Sequence, residues 1–217
     1  MKKIIYLAWM ALCSFHAYGQ TDTTFYKGAD ISWTTQLEAE GHRFYNQKGE
    51  ERECTALMKE LGLNAIRLRV WVDPEDGWSS KEDMLTLAKR AQANDMELMV
   101  DFHYSDFWAD PAHQTIPRAW QNLSFEDLKV AVATHTRDVL LLLKNSGIKP
   151  RWVQVGNETS DGFLWEVGRA STNMPQYAAL TTAGYDAVKD IFPGKRLSSS
   201  TLTTGLTTNC IIISLTD

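Results

Sequence analysis

Trp152-Val153-Gln154-Val155-Gly156-Asn157-Glu158 reads as a buried strand that ends in an amide and a carboxylic acid. Trp152, Val153 and Val155 suit a pleated, enclosed surface, and Gly156 lets another backbone or a ligand approach closely. A carboxyl group at the C-terminal end of a parallel strand sits where α/β barrels place their chemistry. Glu158 is therefore a candidate general acid/base, with Asn157 placed to bind a substrate or orient the acid. The plainer alternative is a helix N-cap at an ordinary strand-to-helix turn, because Asn is a favoured cap.

Outward from this segment the chain alternates strand and helix. Strands are predicted over 26–32, 64–72, 97–103 and 151–156, and helices over 51–61, 81–94, 125–146 and 176–191. Ser80 followed by Asp83, and Ser124 followed by Asp127, mark capped helix starts. Gly62, Gly147 and Pro193-Gly194 follow the helical runs and mark their ends. Repeated βα units imply a parallel sheet, closed either as a doubly wound sheet or as a (β/α)8 TIM barrel. No Gly-rich phosphate loop follows the first strand, which weighs against the nucleotide-binding version. The second strand sets Ile66, Leu68 and Val70 against Arg67, Arg69 and Trp71. Two buried arginines need partners, and a barrel mouth lined with carboxylates supplies them. An edge strand with both arginines in water is the alternative.

The 217 residues are enough for one domain or part of a larger one. Lys2-Lys3, the apolar run from Ile4 to Leu12, and Ala17-Tyr18-Gly19 make residues 1–19 a secretory signal, with Gln20 as the expected mature start. The run is too short for a membrane span. Leu12 before Cys13 is bulkier than a lipoprotein site prefers, so simple export to the periplasm or outside the cell is expected. Cys54 and Cys210 then remain. Cys54 is expected as a small core residue on a helix, and no disulfide framework or Cys/His metal cluster is legible. A net charge of −5 without a basic run argues against nucleic acid as a partner. Eight Trp residues suit either a core or sugar-stacking surfaces.

The loops after the third and fourth strands are rich in aromatic and polar residues. His103 to Pro111 runs from one strand end, and Gly162-Phe163-Leu164-Trp165 follows Glu158. Loops at one face of a barrel carry specificity, so these two are expected to share a cleft. His103 and Asp106 lack a third metal ligand, and hydrogen bonding to sugar hydroxyls is the expected role. Neither a metal nor a cofactor is expected.

Four stretches together resemble the endo-β-1,4-galactanases, a family of retaining glycoside hydrolases acting on arabinogalactan. They are Gly28-Ala29-Asp30-Ile31-Ser32, Arg67-Leu68-Arg69-Val70-Trp71, Asp101 through Pro111, and Gln154-Val155-Gly156-Asn157-Glu158. The Asn-Glu pair is shared across a large barrel clan, whereas the run after the third strand is far more specific. The resemblance implies a (β/α)8 barrel represented by its first four βα units. It further implies that Glu158 is the acid/base, that Asn157 contacts the sugar 2-hydroxyl, and that Arg69 lies near the nucleophile. Trp108 and Trp165 become candidate sugar platforms. Galactan or arabinogalactan is the implied partner, and the complete barrel is expected to be a monomer. The attacking Glu of such enzymes sits on the seventh strand, so the nucleophile has no counterpart in this chain.

A complete barrel needs about 250 residues, and residues 20–196 are read as its N-terminal half. Residues 197–217 are read as an atypical tail, because Ser and Thr dominate where a fifth strand is due. If the serines use TCN codons, reading one base earlier turns each into NTC, which encodes Phe, Leu, Ile or Val. Threonine codons become NAC, encoding His, Asn, Asp or Tyr. Ser198-Ser199-Ser200-Thr201 would then become three apolar residues and a polar one, a strand with a functional group at its end. A frameshift just before Ser198 is the expected cause, with a genuine polar tail as the alternative. Half a barrel is expected to leave its first and fourth strands as unpaired edges, to expose an apolar inner layer, and to fold poorly without activity. Competing functional readings are an endo-mannanase or cellulase of the same clan, and a non-catalytic glycan-binding protein.

Overall fold

Residues 25–193 and 211–214 are described by the computed structural model; the 1–19 signal segment and most of the 197–217 tail lie outside the described residues. Along the chain run β1 (Gly28–Asp30), α1 (Thr34–Ala39), β2 (Phe44–Tyr45), β3 (Glu51–Arg52), α2 (Cys54–Glu60) and β4 (Ala65–Val70). They are followed by α3 (Lys81–Ala93), β5 (Glu97–Phe102), α4 (Phe125–Asn145), β6 (Trp152–Val155), α5 (Ala170–Ile191) and β7 (Ile211–Ser214). Strands β1, β4, β5 and β6 pair in that order, all parallel, with a helix in each crossover. They are the four strands predicted from the sequence.

Period-two alternation sorts the sheet into two faces. Ile66, Leu68 and Val70 of β4, Leu98, Val100 and Phe102 of β5, and Val153 and Val155 of β6 join the main core. Against them pack Met84, Leu87 and Ala91 of α3, Leu128, Val132 and Leu140 of α4, and Leu180 and Val188 of α5. The opposite face carries Arg67, Arg69, Asp101 and Gln154, with Arg69, Asp101 and Gln154 in register across three strands. Met99 and Trp152 share this face in register with Arg67, so the inner layer is mixed: the expected apolar layer gives way toward the C-terminal strand ends, where charged residues hold partners at the barrel mouth.

Helix ends follow local chemistry. Ser80 and Ser124 accept from the amides of Asp83 and Asp127, as their spacing predicts. Helix α2 begins later than predicted, since Glu51–Arg52 pairs with Phe44–Tyr45 as a small antiparallel ribbon and the Glu53 carboxylate caps the helix at Ala56. Helix α5 begins earlier, at Ala170, and breaks at Asn173 (φ −148°, ψ 59°) before Pro175. Proline lacks a donor and tolerates only a first turn, so two helical pieces meet there. Cys54 is a buried free thiol on α2, as expected.

One edge differs from the expectation. β7 pairs antiparallel with β6, Val155 opposite Ile211, so the fourth barrel strand is not left open. A fifth strand of a (β/α)8 barrel would run parallel, and the backbone groups of β6 are satisfied here by a strand of opposite sense. β1 pairs on one side only among the described residues.

Candidate active site

Glu158 follows β6 through a sharp turn. Gly156 has φ +88°, and a Cβ there would lie 2.6 Å from the Thr159 methyl. Glu158 itself adopts φ +50°, a left-handed conformation that costs energy for a non-glycine residue and that clusters at functional sites. The turn is held from across the cleft: Gln114 Nε2 donates to the Asn157 carbonyl at 2.8 Å. The Glu158 carboxylate accepts no hydrogen bond from any side chain or amide among the described residues.

Asn157 is buried and its amide is fully oriented. Its Nδ2 donates to the Ala109 carbonyl at 2.7 Å, while its Oδ1 accepts from Arg67 at 2.8 Å and from Gln154 at 3.3 Å. Arg67 reaches three strands, donating to Asp30 of β1 at 2.7 Å, to Asp101 of β5 at 2.6 Å and to Asn157. The expectation that barrel-mouth carboxylates neutralise the strand arginines therefore holds for Arg67. Asp101 is completely buried. Burial pushes its carboxyl up, but the Arg67 guanidinium, His103 and Arg69 together outweigh that and hold it below the usual carboxylate range.

Arg69 shares the Asp30 carboxylate at longer range and gains aromatic partners as well. It is 3% exposed, with Asp30 at 3.9 Å and Ser79 Oγ accepting from Nε at 3.1 Å. Its guanidinium carbon lies 4.3 Å from the Trp108 ring centre, 5.0 Å from Trp33 and 5.2 Å from Trp71. Three indoles thus form a cage around one cation, an arrangement favoured by the ring quadrupoles. Burial draws the Arg69 guanidinium below its ordinary range, with Asp30 and Asp101 acting in the other sense.

His103 is 1% exposed, and both ring nitrogens are engaged: Nε2 with Asp101 at 2.8 Å, and Nδ1 with the Ala109 amide at 3.3 Å. Asp106 uses its two oxygens on the backbone amides of Asp73 and Arg118, bracing the loop after β4 against the loop after β5. His103 is thus buried away from the groove, whereas Asp106 lines it with both carboxylate oxygens already engaged by amides. Trp108 is half-buried on the Arg69 cage. Trp165 donates its indole N–H to the Asp161 carbonyl at 2.8 Å and carries Arg169 at 3.9 Å over its ring.

A groove of about 1060 Å³ opens on this face, lined by Trp33, Trp71, Trp78, Phe107 and Trp108 and floored by polar loop residues. Glu158 and Trp165 do not line it; Trp108 and Asp110, which do, are the chain neighbours of the Ala109 whose carbonyl holds Asn157. The loops after β5 and β6 do touch, through the Gln114 carbonyl and the Trp165 amide at 2.7 Å. The groove, however, is built by the loops after β1, β4 and β5. Sequence reading missed Trp33, Trp78, Gln114 and the role of Asp101. Only Asp101 left a local trace, sharing a strand face with His103 two residues on.

Parallel strands backed by helices, with an acid at one strand's C-terminal end and an indole-lined groove built by the loops at the same end, define part of a (β/α)8 glycosidase barrel. The chain belongs to glycosyl hydrolase family 53, whose sequence pattern matches residues 26–210. It is 39% identical over 174 residues to an endo-beta-1,4-galactanase of Bacillus subtilis (strain 168), covering 76% of this chain and 39% of that protein. It is 37% identical over 165 residues to an arabinogalactan endo-beta-1,4-galactanase of Thermothelomyces thermophilus, covering 76% of this chain and 49% of that one. The GH53 catalytic domain of Ignisphaera aggregans superposes with a TM-score of 0.74 at 40% identity, over 78% of this chain and 49% of that chain. A fungal β-1,4-galactanase structure gives a TM-score of 0.73 at 37% identity, over 76% and 49%. The chain spans about half the length, or less, of these relatives.

Proposed function

We propose that the barrel to which this chain contributes its first four strands hydrolyses internal β-1,4-galactosidic bonds of galactan or arabinogalactan with retention. In the first step a carboxylate nucleophile attacks the anomeric carbon, the glycosidic C–O bond breaks, and the leaving oxygen takes the proton of Glu158. In the second step water attacks the galactosyl-enzyme, Glu158 takes its proton, and the nucleophile departs. Asn157 contacts the 2-hydroxyl through its remaining amide N–H, Arg69 lies near the nucleophile, and Trp108 and Trp165 offer ring faces to sugars. The nucleophile is supplied by a strand beyond these 217 residues, so the chain alone turns over no galactan. Export, and residues 197–217 as out-of-frame translation, belong to the same reading.

The observation that carries it is the Asn157-Glu158 strand end: an unengaged carboxylate beside an amide locked by Arg67 and Ala109. Family membership and the names of the relatives supply the substrate. The test takes the completed barrel, this chain continued by the remaining strands of its own gene, and measures reducing ends from galactan, mannan and cellulose. Galactan cleavage abolished by Glu158→Gln supports the proposal. Preferred cleavage of mannan or cellulose overturns the substrate, and galactan affinity without any cleavage overturns the chemistry. Sequencing the coding DNA from the codon of Asp190 to beyond that of Asp217 tests the tail: a one-base shift opening a fifth strand and a later strand-borne Glu supports the frameshift, and an unbroken frame overturns it.

A further inference from the structure

Five residues, Arg67 on β4, Asp101 on β5, His103 and Ala109 in the loop after β5, and Asn157 just beyond β6, close a hydrogen-bonded circuit. Arg67 donates to Asp101 at 2.6 Å, and His103 Nε2 meets the same carboxylate oxygen at 2.8 Å. The Ala109 amide donates to His103 Nδ1 at 3.3 Å, the Asn157 amide donates to the Ala109 carbonyl at 2.7 Å, and Arg67 returns to Asn157 Oδ1 at 2.8 Å. Ala109 is engaged at both ends of its own backbone, once by each neighbour.

The direction of every bond in the circuit follows from chemistry. A backbone N–H at Nδ1 demands a lone pair there, so the ring proton sits on Nε2 and points at Asp101. Asp101, buried and held ionised by Arg67, in turn fixes that tautomer. His103 is thereby an acceptor held rigidly for one amide, in a site too buried to reach a sugar. Losing that acceptor leaves the N–H of the Trp108–Ala109 peptide buried and unpaired. The next peptide, which carries the carbonyl that Asn157 holds, shares the Ala109 Cα, so a shift of the Ala109 backbone toward a new partner displaces that carbonyl from Asn157, the chain neighbour of Glu158, and moves Trp108 on the Arg69 cage.

We propose that His103 is a positioning residue for the Asn157-Glu158 strand end, acting through the peptide of Ala109 and touching no substrate itself. This rests on the reading of Glu158 as acid/base. Two substitutions separate the two ends of the ring. In His103→Asn the side-chain oxygen falls near the place of Nδ1 and can still accept from Ala109, while the contact to Asp101 is lost. In His103→Gln the amide nitrogen falls near the place of Nε2 and keeps Asp101, while the acceptor for Ala109 is lost.

The experiment measures kcat and KM on galactan for the completed barrel and these two variants, beside Glu158→Gln. The expected result is a fall in kcat on the order of 10²-fold for H103Q with KM within about threefold, and H103N within about tenfold of the parent. If His103 serves only to neutralise Asp101, H103N falls further than H103Q and the proposal is overturned, as it is if the two fall equally or H103Q matches the parent. If H103Q does not fold, H103N decides: retention within about tenfold supports the proposal and a larger loss overturns it. Activity surviving in E158Q sinks the acid/base reading itself, whereas a dead E158Q beside an unaffected H103Q sinks only the positioning role.

Discussion

The side-chain amide of Asn157 donates to the backbone carbonyl of Ala109 at 2.7 Å, joining the end of β6 to the loop after β5 across 48 positions of sequence. Replacing that donor with an acceptor should be worse than removing it. In Asn157→Asp a carboxylate oxygen faces the Ala109 carbonyl, while the other keeps Arg67. The variant is expected to lose about 1–3 kcal/mol from the unpaired buried carbonyl and the new repulsion, with Asn157→Ala less affected. Urea midpoints of the two variants check the order, and equal midpoints would mean that the Ala109 contact contributes nothing.

Arg67 holds Asp30, Asp101 and Asn157 at once, and Asp101 has no exposure to water. Arg67→Met keeps the length of the stem and removes the cation, leaving an ionised carboxylate buried with a single partner. Breaking a buried pair from one side costs about 3–5 kcal/mol, so R67M is expected to unfold at much lower urea. The double variant Arg67→Met/Asp101→Leu should recover part of that loss, because neither charge is then stranded. A double variant no more stable than R67M contradicts the assignment.

His135 sets a pH window. Burial, helped by the positive charge of Lys81, pushes its imidazole down to about 4, and its Nε2 is sealed without a partner among the described residues. The unfolded side chain titrates near 6.5, so between about 6.5 and 4 the unfolded state binds more protons and stability falls as the pH falls, by roughly 3 kcal/mol. Asp101 acts lower: its carboxyl is held down in the folded state, so its contribution is complete above about 3.9 and is lost as the pH falls further. Urea titrations at pH 7, 4.5 and 3 should show the upper loss vanish in His135→Phe while the lower one persists. An unchanged difference between pH 7 and 4.5 in H135F would reject the assignment.

Two glycines with positive φ should respond differently to alanine. At Gly162 (φ +83°) a Cβ would stand 1.9 Å from the Gly168 carbonyl oxygen, inside the loop that buries Phe163 and Leu164. At Gly147 (φ +72°) nothing lies within 4 Å. Gly147→Ala is therefore expected to cost about 1 kcal/mol from the left-handed backbone alone. Gly162→Ala adds a clash with rigid backbone and should cost more than about 3 kcal/mol. Thermal unfolding of both variants provides the comparison, and similar shifts would show that the 156–169 loop relaxes freely.

Much of this protein was legible because its signals are local. Ser80 and Ser124 announce helices through bonds to amides three residues on, and alternation in 65–70 separates core from cleft without knowledge of any partner. The Asn157-Glu158 pair was found because a strand and its end lie within seven consecutive residues. Helix α1 and the β2–β3 ribbon were missed because short elements leave too few residues for a period to register, and the ribbon displaced the predicted start of α2.

The roles inside the site were a different matter. His103 and Asp106 have the side chains of sugar ligands, but hydrogen bonds to Asp101, Ala109, Asp73 and Arg118 engage them as braces, His103 buried and Asp106 on the groove wall. Arg69 was expected to meet carboxylates and does meet Asp30 at 3.9 Å, but three indoles enclose it as well, which the sequence did not foretell. The sequence by itself determined the parallel strands, the helices that cover them and the acid at the end of β6, since these follow from spacing and propensity along a few neighbouring residues. Only the tertiary structure decided which polar side chains reach the groove and which are consumed in the circuit through Ala109. That choice depends on contacts between residues tens of positions apart, where a hydrogen bond forms only if several strands arrive in register.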